Sequence, residues 1–552
     1  MKGRPIFSIA ALARLLMTRV KGWATPNLRV FFNTKQPTVW ALSVVIGLGV
    51  AILAICFRLL IGLIQYPWLG TTGEKVARAA EAAPWYLVIA APTLGGLAVG
   101  LILHYLMPGR RAESVADVIE ARALTTKRLG FRTGALSALV SAISLGAGAS
   151  SGREGPVVHL GATFANLITR QFSLPTGSAR MLLAAGVGAA VSASFNAPIA
   201  GVLFAHEVIL GHYALSAFVP IVIASVLAAV VSRLYFGDYP AFFIPEYQIT
   251  SYWEVPAFAL LGLTCAVVAI LFQFALIGTD WAARNVRMHL ILRPIAGGFV
   301  VGLIGLAVPE IMGVGYESTD QAMNQLLPVE TLLLLLVAKT IATAITLASR
   351  FGGGIFSPSL YIGAMTGGAF GLIAAGVFPD LASSAGLYAI LGMGAVAAAV
   401  LGAPVSTTVI VFELTGGYAV TLALLLTVSI ANGLTQAVHG RSYFQWQLES
   451  RGLFLQDGAH RRLGRQIRVA DIMQPPDEDE DTVFDPEVHP DWLSPNDTLE
   501  LSLRLFDDKG ITQVPVVSEL SGEKKLVGHL HQVDALRRFT DALIEANVEE
   551  HR

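Results

Sequence analysis

Charged residues are scarce in this 552-residue chain, where they make up 14% of the total. A soluble domain typically carries about 25% charged residues. The shortage is uneven, because residues 1–440 contain 17 of the 39 aspartates and glutamates and residues 441–552 contain the other 22. The composition therefore excludes a single soluble globular domain, and it predicts a long apolar part followed by an acidic, soluble tail.

Cysteine and metal-binding patterns are also lacking. The two cysteines, Cys56 and Cys265, lie within apolar runs, which predicts small core residues and excludes a disulfide framework. There is no metal-ligand cluster such as His-Glu-x-x-His. The stretch Gly148–Gly152 matches the hydrolase pattern Gly-x-Ser-x-Gly, but it lies between apolar segments rather than on a strand-to-helix turn. We therefore expect no enzyme, no catalytic residue, no metal site and no required cofactor.

Long apolar runs, by contrast, recur through the first part of the chain. A membrane-spanning helix needs about 20 residues. Six runs qualify: Trp40–Tyr66, Pro84–Leu106, Phe218–Phe236, Val255–Ile277, Leu290–Val308 and Ala419–Val438. Five others are shorter or broken: Thr133–Ala149, Val157–Ile168, Met181–Ser194, Ile199–Ile209 and Gly386–Leu401. Because short, Gly- and Pro-interrupted pieces suggest helices that end inside the membrane, we predict an all-α polytopic membrane protein.

The N-terminal arm, residues 1–37, is basic. Its first 36 residues contain seven lysines or arginines and no acid. It lacks the short apolar core and cleavage site of a removed signal peptide, and it resembles a basic amphipathic helix on a membrane surface, with a floppy arm as the alternative. The loop Pro108–Arg132 is also basic and lies two predicted crossings away, so the positive-inside rule places both in the cytoplasm.

Two sequence blocks recur about two hundred residues apart. Residues 186–207 match 392–413 at an offset of 206, and both copies contain Ala-Pro and end in glutamate. Residues 156–162 match 358–364 at an offset of 202. Chance similarity among Gly, Ala and Pro is the alternative. We predict a duplicated membrane unit, about residues 133–236 and 329–439, packed as inverted repeats with the substrate near the midplane.

A Gly-rich turn precedes the proline in each copy of the second block, at Gly152–Gly155 and Gly352–Ser357. Proline favours the first helical turn, so backbone N–H groups of the turn face outward at the positive end of a helix, which suits an anion. Glu154 lies in one of these turns. Ionised, its carboxylate would take the place of an anion; protonated or displaced, it would open the site. The alternative is an acid favoured near a helix N-terminus.

These motifs resemble the CLC family of chloride channels and chloride/proton antiporters. The matching motifs are GREGPVVH at Gly152–His159, GGIFSP at Gly353–Pro358, and the FNAP and FAHE sequences between Phe195 and Glu207, and the resemblance covers roughly residues 38–450. It implies a homodimer with one pore per subunit, built from inverted repeats of tilted and broken helices. It also implies that Glu154 is the gate, and it implies anion-binding roles for Ser114, Arg153, Gly155, Ile355, Phe356 and Tyr443.

One departure from the family pattern lies at Glu113–Asp117. The family motif GSGIP is replaced there by Glu-Ser-Val-Ala-Asp. Ser114 aligns with the chloride-coordinating serine, which favours chloride over nitrate or fluoride, although Ser114 would also suit a helix N-cap. The acids Glu113 and Asp117 are unexpected beside an anion path.

A second departure lies at Val208, which stands where antiporters of the family carry a proton-transfer glutamate. Valine cannot relay a proton, so Val208 favours a passive chloride channel, with a chloride/proton antiporter as the alternative. His206 lies close by and titrates near neutrality. Glu207 and its counterpart Glu413 are predicted to brace helix ends. A cation-coupled solute transporter is a weaker alternative, because the helix ends suit an anion.

Residues 451–552 are predicted to form an acidic linker and a small cytoplasmic α/β domain. Strands are expected at Thr512–Val517 and Lys525–His529, with helices at Thr498–Lys509 and Gln532–Ala546. The pattern resembles a single CBS module, a class that often binds adenine nucleotides; a folded tail that binds nothing is the alternative. We therefore expect a chloride-binding protein of the bacterial inner membrane, embedded in lipid, with both termini cytoplasmic and no nucleic-acid partner.

Overall fold

The computed structural model describes residues 9–33, 35–124, 129–238, 242, 249, 251–379, 382–415, 418–454, 464, 467–476, 491–520 and 523–551. The chain divides into two compact units. The first consists of residues 1–211 and 217–440, and the second of residues 212–216 and 441–552.

The first part of the chain is helical throughout its described residues. Its first ten helices are α1 (Ile9–Asn33), α2 (Gln36–Leu69), α3 (Val76–Ala82), α4 (Trp85–Tyr105), α5 (Val115–Ala123), α6 (Phe131–Gly146), α7 (Glu154–Gln171), α8 (Thr176–Phe195), α9 (Pro198–Phe204) and α10 (Leu215–Phe236). The next eight are α11 (Val255–Asn285), α12 (Leu292–Ala307), α13 (Tyr316–Met323), α14 (Val329–Ala348), α15 (Phe356–Val377), α16 (Ala385–Leu401), α17 (Pro404–Thr415) and α18 (Tyr418–Val438). A π-helical turn, Ala205–Leu210, continues α9.

Eight helices in the described residues are long and apolar enough to cross a membrane. Three of them, α8, α14 and α15, were not predicted as full crossings from the sequence, and the run Met181–Ser194 within α8 was predicted to be a shorter or broken piece. Lys339 interrupts the apolar run of α14, and serine, threonine and glycine residues are interspersed through α15. Lys339 is fully buried, and its ammonium group donates hydrogen bonds of 2.9 Å to the carbonyl groups of Ile311 and Gly313. A charge satisfied inside the protein does not prevent a helix from spanning the membrane.

Other apolar runs give shorter helices than a full crossing. The run Leu290–Val308, predicted as a long span, contains the 16-residue helix α12. The short helices α6, α9, α16 and α17 confirm that the apolar part contains broken segments. Cys265 is buried as expected, but Cys56 is exposed on α2 and is not a core residue.

Glycines mark the same helix crossing in each copy of the repeat. On α7, a Cβ at Gly161 would lie 2.5 Å from the carbonyl oxygen of Gly186 on α8. On α15, a Cβ at Gly363 would lie 2.3 Å from the carbonyl oxygen of Gly392 on α16. Close backbone approach of this kind is typical of membrane helix packing at small residues. Because the glycines of one crossing follow those of the other at the repeat offsets, the two copies share one local architecture.

The second unit combines helices with a strand pair, as predicted for the tail. It contains α19 (Tyr443–Glu449), α20 (Leu499–Lys509), β1 (Gln513–Leu520), β2 (Glu523–His531) and α21 (Gln532–His551). The strands are antiparallel, with Val514 opposite Leu530 and an irregularity between Val516 and Val517. Both strands are longer than the sequence predicted, because the hairpin pairing continues beyond the apolar residues. Leu499, Phe506 and Val514 lie in the core of this unit.

Candidate anion pathway and its gate

The Gly-rich turns of the two repeat copies meet in the first unit. Gly152 and Gly354 form an antiparallel bridge in which each N–H donates to the carbonyl of the other at 2.7 Å. Gly353 has a φ of +151°, and a Cβ there would lie 2.2 Å from the Ser151 hydroxyl, so this turn requires glycine. The bridge brings together the N-terminal ends of α7 and α15.

These two helix ends are equivalent in the repeat. Helix α7 begins at Glu154 after the N-cap Arg153, and α15 begins at Phe356 after the N-cap Ile355. The two helices begin 202 residues apart, which is the offset of the second repeat block, so Glu154 and Phe356 occupy matching positions. The first N–H groups of a helix have no partner within the helix, and the positive end of its dipole attracts negative charge. Two positive helix ends therefore meet at this junction, and a single anionic group can bind between them.

The carboxylate of Glu154 takes up that position. Glu154 is buried, with 2% of its surface exposed. Its Oε1 accepts a hydrogen bond of 2.7 Å from the Tyr316 hydroxyl, and its Oε2 accepts one of 2.6 Å from the Ser357 hydroxyl. Ser357 is the second residue of α15. A side chain of one repeat copy is thus bound at the helix end of the other.

Arg153 connects Glu154 to the loop after α2. Its buried guanidinium donates to Glu74, stacks 5.0 Å from the ring centre of Tyr316, and places Nε 3.8 Å from Oε1 of Glu154. Glu74 also pairs with Arg58 at 2.9 Å. Partial burial would raise the pKa of Glu74, but the two guanidinium groups outweigh it and hold this pKa below its ordinary value. Arg153 is therefore shared between two carboxylates.

The predicted backbone ligands lie around the same junction. A Cβ on Gly155 would lie 3.2 Å from Cα of Gly354 and 3.8 Å from Cγ2 of Val115, the first residue of α5. Ile355 and Phe356 are buried, and the Phe356 ring packs 4.9 Å from that of Phe195. The structure thus brings Arg153, Gly155, Ile355 and Phe356 together, as the motifs imply.

Ser114 is the N-cap of α5. Its backbone N–H donates at 2.9 Å to Asp117, which is fully buried and also receives two hydrogen bonds, 2.9 and 2.5 Å long, from Arg111. The hydrogen bond to Asp117 raises the pKa of Arg111 above its ordinary value. The unexpected acid at 117 is therefore a helix cap with its own counter-ion, and its charge is not directed at an anion path.

Glu113, the other unexpected acid, faces α7. Its Oε2 lies 3.1 Å from Nε2 of His159, and its backbone N–H donates to the Ser137 hydroxyl on α6 at 3.0 Å. The His159 side chain is 1% exposed, whereas that of Glu113 is 20% exposed. The replaced motif thus introduces a titratable pair next to Ser114.

Glu207 and Glu413 bind helix ends reciprocally. The carboxylate of Glu207 accepts from the N–H groups of Val405 and Ser406, at 3.0 and 2.7 Å, in the first turn of α17. The carboxylate of Glu413 accepts from Ile199 and Ala200, at 3.1 and 2.7 Å, in the first turn of α9. Each repeat copy therefore caps a helix of the other, as the bracing role predicts. Val208 lies in the π-helical turn beside Glu207.

Tyr443 belongs to the second unit. It begins α19 and is buried, and its ring centre lies 5.6 Å from that of Trp446. Its contribution to the anion site stays a prediction. Within the described residues, no group of three or more His, Cys, Asp or Glu side chains is placed to hold a metal ion.

Sequence reasoning missed three residues that contact the gate or its neighbour: Tyr316, Ser357 and Glu74. A signal existed for the first two. Tyr316 follows Ser114 by 202 residues, the offset of the repeat, so the duplication already placed it opposite the predicted anion serine. Ser357 lies inside the GGIFSP motif. Glu74 lies in a loop with no repeated sequence, and nothing in the sequence marked it.

Comparison with known proteins agrees with this geometry. A family model described as voltage gated chloride channel matches residues 95–436. The putative chloride channel protein ClcB-like of Ralstonia nicotianae is 32% identical over 390 residues, which are 70% of this chain and 91% of that protein. The chloride channel protein CLC-f of Arabidopsis thaliana is 30% identical over 427 residues, 72% of this chain and 54% of that protein. The H(+)/Cl(-) exchange transporter ClcA of Vibrio vulnificus is 33% identical over 291 residues, 51% of this chain and 62% of that protein.

Solved structures share the fold. A slow cyanobacterial Cl-/H+ antiporter aligns with a TM-score of 0.67 and 22% identity, covering 76% of this chain and 99% of that one. A eukaryotic CLC transporter aligns with a TM-score of 0.67 and 18% identity, covering 91% of this chain and 98% of that one. With its matched family model, its repeat and its paired helix ends, the chain belongs to the voltage gated chloride channel family, the CLC family.

Proposed function

We propose that this protein moves chloride across a membrane in exchange for protons, along a pathway that the Glu154 carboxylate closes. The observation that carries the proposal is the position of this carboxylate, which is buried between the N-terminal ends of α7 and α15. An anionic side chain that can leave a site built for anions is a gate. Several relatives are named as chloride channels or chloride exchangers, which supports chloride as the ion.

Protonation provides the link to exchange. An ionised Glu154 accepts charge-assisted hydrogen bonds from Tyr316 and Ser357 and is attracted by both helix ends. A protonated Glu154 loses most of that attraction, so chloride can replace it. If each displacement of the carboxylate requires a proton, chloride movement in one direction is tied to proton movement in the other.

The relatives favour exchange over passive conduction. ClcA is named an H(+)/Cl(-) exchange transporter, and two structural neighbours are titled antiporters. Passive conduction is the second candidate, and Val208 favours it, since this residue cannot carry a proton. The sequence alone gave passive conduction the greater weight; the relatives reverse that preference.

Liposomes containing the purified protein separate the two functions. Under exchange, an outward chloride gradient drives protons inward against a pH gradient, and the zero-current voltage shifts when the pH gradient is changed. Under passive conduction, no protons move and the zero-current voltage follows chloride alone. If the zero-current voltage does not change with the pH gradient, the protein transports chloride but does not exchange it for protons.

The gate itself is tested with Glu154→Gln. Glutamine has nearly the same shape but no titratable proton, so chloride flux should become largely independent of pH and proton movement should stop. Flux is measured with a chloride electrode between about pH 3.5 and about pH 8, a range that brackets the ordinary glutamate pKa of about 4.3. A variant that keeps the pH dependence of the wild type would show that the gate lies elsewhere.

We also propose that the protein is a homodimer with one pathway per subunit, in the inner membrane of a bacterium with both termini in the cytoplasm. The family resemblance supports the dimer, and the basic arm and the basic loop Pro108–Arg132 support the orientation. Adenine-nucleotide binding by the CBS-like tail is a further proposal, which rests on the resemblance of its sequence pattern.

A further inference from the structure

The pair formed by Glu113 and His159 has no part in the gate described above. Glu113 precedes Ser114, the N-cap of α5, and His159 lies on α7, the helix that begins with Glu154. The pair thus connects the partly exposed start of α5 with the interior of the gate helix. Its two titratable atoms are 3.1 Å apart.

His159 is poorly satisfied in this position. Its imidazole is 1% exposed, and neither ring nitrogen makes a well-aligned hydrogen bond to any residue that the structure describes. An unsatisfied buried polar group costs free energy and calls for an explanation in function or in bound water. Nε2 has the Glu113 carboxylate as a neighbour, which leaves Nδ1 available for a proton acceptor other than Glu113.

The charged groups around the pair include a cation that is already bound to another carboxylate. Arg111 faces Glu113 electrostatically, but both of its terminal nitrogens bind Asp117. Glu120 lies further along α5 and interacts with Arg111 as well, and α6 contributes the neutral hydroxyl of Ser137. Glu113 therefore lies near both acidic and basic groups, and the guanidinium of Arg111 is already paired with Asp117.

The nearby carboxylates of Glu207 and Asp117 accept other hydrogen bonds. Both oxygens of Glu207 accept backbone N–H groups of α17, and Asp117 accepts from Arg111 and from the backbone of Ser114. Val208 offers no proton. Of the carboxylates of Glu113, Asp117 and Glu207, that of Glu113 is the one whose described contact is a histidine side chain.

We propose that Glu113 and His159 form the proton relay between the solution and Glu154. The inference rests on the proposed exchange of chloride for protons. A proton from solution binds the Glu113 carboxylate and passes to Nε2 of His159, which starts as the Nδ1–H tautomer, and the proton on Nδ1 leaves for the carboxylate of Glu154. His159 is then the Nε2–H tautomer, and it returns to the Nδ1–H tautomer before the next proton by losing the Nε2 proton and regaining one at Nδ1. The five-residue separation on α7 corresponds to an axial rise of about 7.5 Å, so water carries the last step. In one passage a single proton enters, an N–H bond forms at Nε2 and another breaks at Nδ1, and Glu154 becomes neutral.

The test uses the full-length protein in chloride-loaded liposomes, with chloride efflux and proton uptake recorded together. In Glu113→Gln and in His159→Gln, proton uptake should fall about tenfold or more, because an amide cannot carry a proton. Chloride efflux should persist, because Glu154 can still take its proton from the opposite side of the membrane, which the relay does not serve. Persistent efflux also shows that each variant is folded. Glu120→Gln is the matched control: it removes one carboxylate from α5 without touching His159, and it should leave the ratio of protons to chloride at its wild-type value.

Each result is decisive. Wild-type protein that moves chloride but no protons would overturn the exchange and, with it, the relay. If both variants take up protons as fast as the wild-type protein, the relay is overturned and the exchange is not. Loss of chloride efflux and proton uptake together in both variants would assign the pair to the chloride path and would also overturn the relay.

Discussion

At the residue scale, the gate is held by hydroxyl groups. Tyr316 and Ser357 donate to the two oxygens of Glu154, while the nearest guanidinium, that of Arg153, is bound to Glu74. A direct bidentate arginine pair would hold the carboxylate much more tightly. Two hydroxyl donors stabilise the closed state and still allow the carboxylate to leave, which a gate requires.

Removing one of these donors should favour the open state. In Tyr316→Phe, Glu154 loses a hydrogen bond to its charged form, an interaction that contributes about 1.5–3 kcal/mol in other proteins. Only the ionised, closed state gains from this bond, so chloride flux at neutral pH should rise several-fold, measured as initial efflux from liposomes. Tyr361→Phe is the control, because Tyr361 is equally buried and its hydroxyl makes no hydrogen bond to Glu154. Equal flux in Tyr316→Phe and wild type would mean that Tyr316 does not hold the gate.

At the element scale, the two repeat copies stabilise each other's helix ends. Glu207 caps α17 and Glu413 caps α9, each with two backbone N–H groups. The short helices α9 and α17 could not satisfy these N–H groups internally, and a membrane offers no water to do so. The matching glutamates in the sequence are therefore explained by architecture, without a role in proton transfer.

The caps should contribute comparably to stability. Glu207→Ala and Glu413→Ala should each lower the free energy of unfolding by about 1–2 kcal/mol, as the loss of a helix cap typically does. Thermal unfolding of the detergent-solubilised protein measures this. Glu207→Gln keeps an acceptor oxygen and should keep the ratio of protons to chloride. A loss of proton movement in Glu207→Gln would assign Glu207 to proton transfer and contradict the capping role.

The glycine crossings should not tolerate a methyl group. In Gly363→Ala, the new Cβ would lie 2.3 Å from the carbonyl oxygen of Gly392, and both are backbone positions in buried helices. We expect little monodisperse protein after purification. Gly376→Ala, near the end of the same helix, meets nothing within 4 Å and should be neutral or stabilising. Size-exclusion chromatography compares the two, and equal yields would show that α15 and α16 can move apart.

At the scale of the whole molecule, the gate contacts described here lie within the first unit. The second unit has its own core, formed in part by Val469, Leu499 and Phe506. Transport should therefore not depend on the core of the tail.

Deletion of residues 455–552 removes that core and leaves α19 in place. Chloride efflux per folded protein should remain within about twofold of wild type, since the paired helix ends and their hydroxyl donors are unchanged. Liposome efflux, normalised to monodisperse protein, measures it. A folded but inactive truncated protein would show that the tail is needed for conduction.

Sequence reasoning succeeded where the chemistry is local. Arg153, Gly155, Ile355 and Phe356 lie within a few residues of a Gly-rich turn, and a turn followed by a helix keeps them together in any packing. Contacts between distant segments were not predictable in this way. The hydroxyl of Tyr316 reaches Glu154 across 162 positions of the chain, and the repeat offset relates Tyr316 to Ser114 but does not relate it to Glu154.

Segment boundaries failed for a related reason. A hydropathy pattern predicts that a membrane span ends at Lys339. In the folded protein, however, two carbonyl oxygens accept hydrogen bonds from its ammonium group. Asp117 was likewise unexpected until Arg111 was found beside it. In both cases the partner is fixed by tertiary structure, so the charge alone misled the sequence interpretation.

The bridge between Gly152 and Gly354 limits what either repeat copy can do alone. Each copy contributes one of the two helix ends, and the backbone hydrogen bonds that align them join residues of different copies. Half of the chain would therefore contain one helix end with no partner. An ancestor with a single copy would have formed this seat for an anion only by associating with a second copy inserted in the opposite orientation. A chain that carries both copies keeps the two helix ends together without any such association.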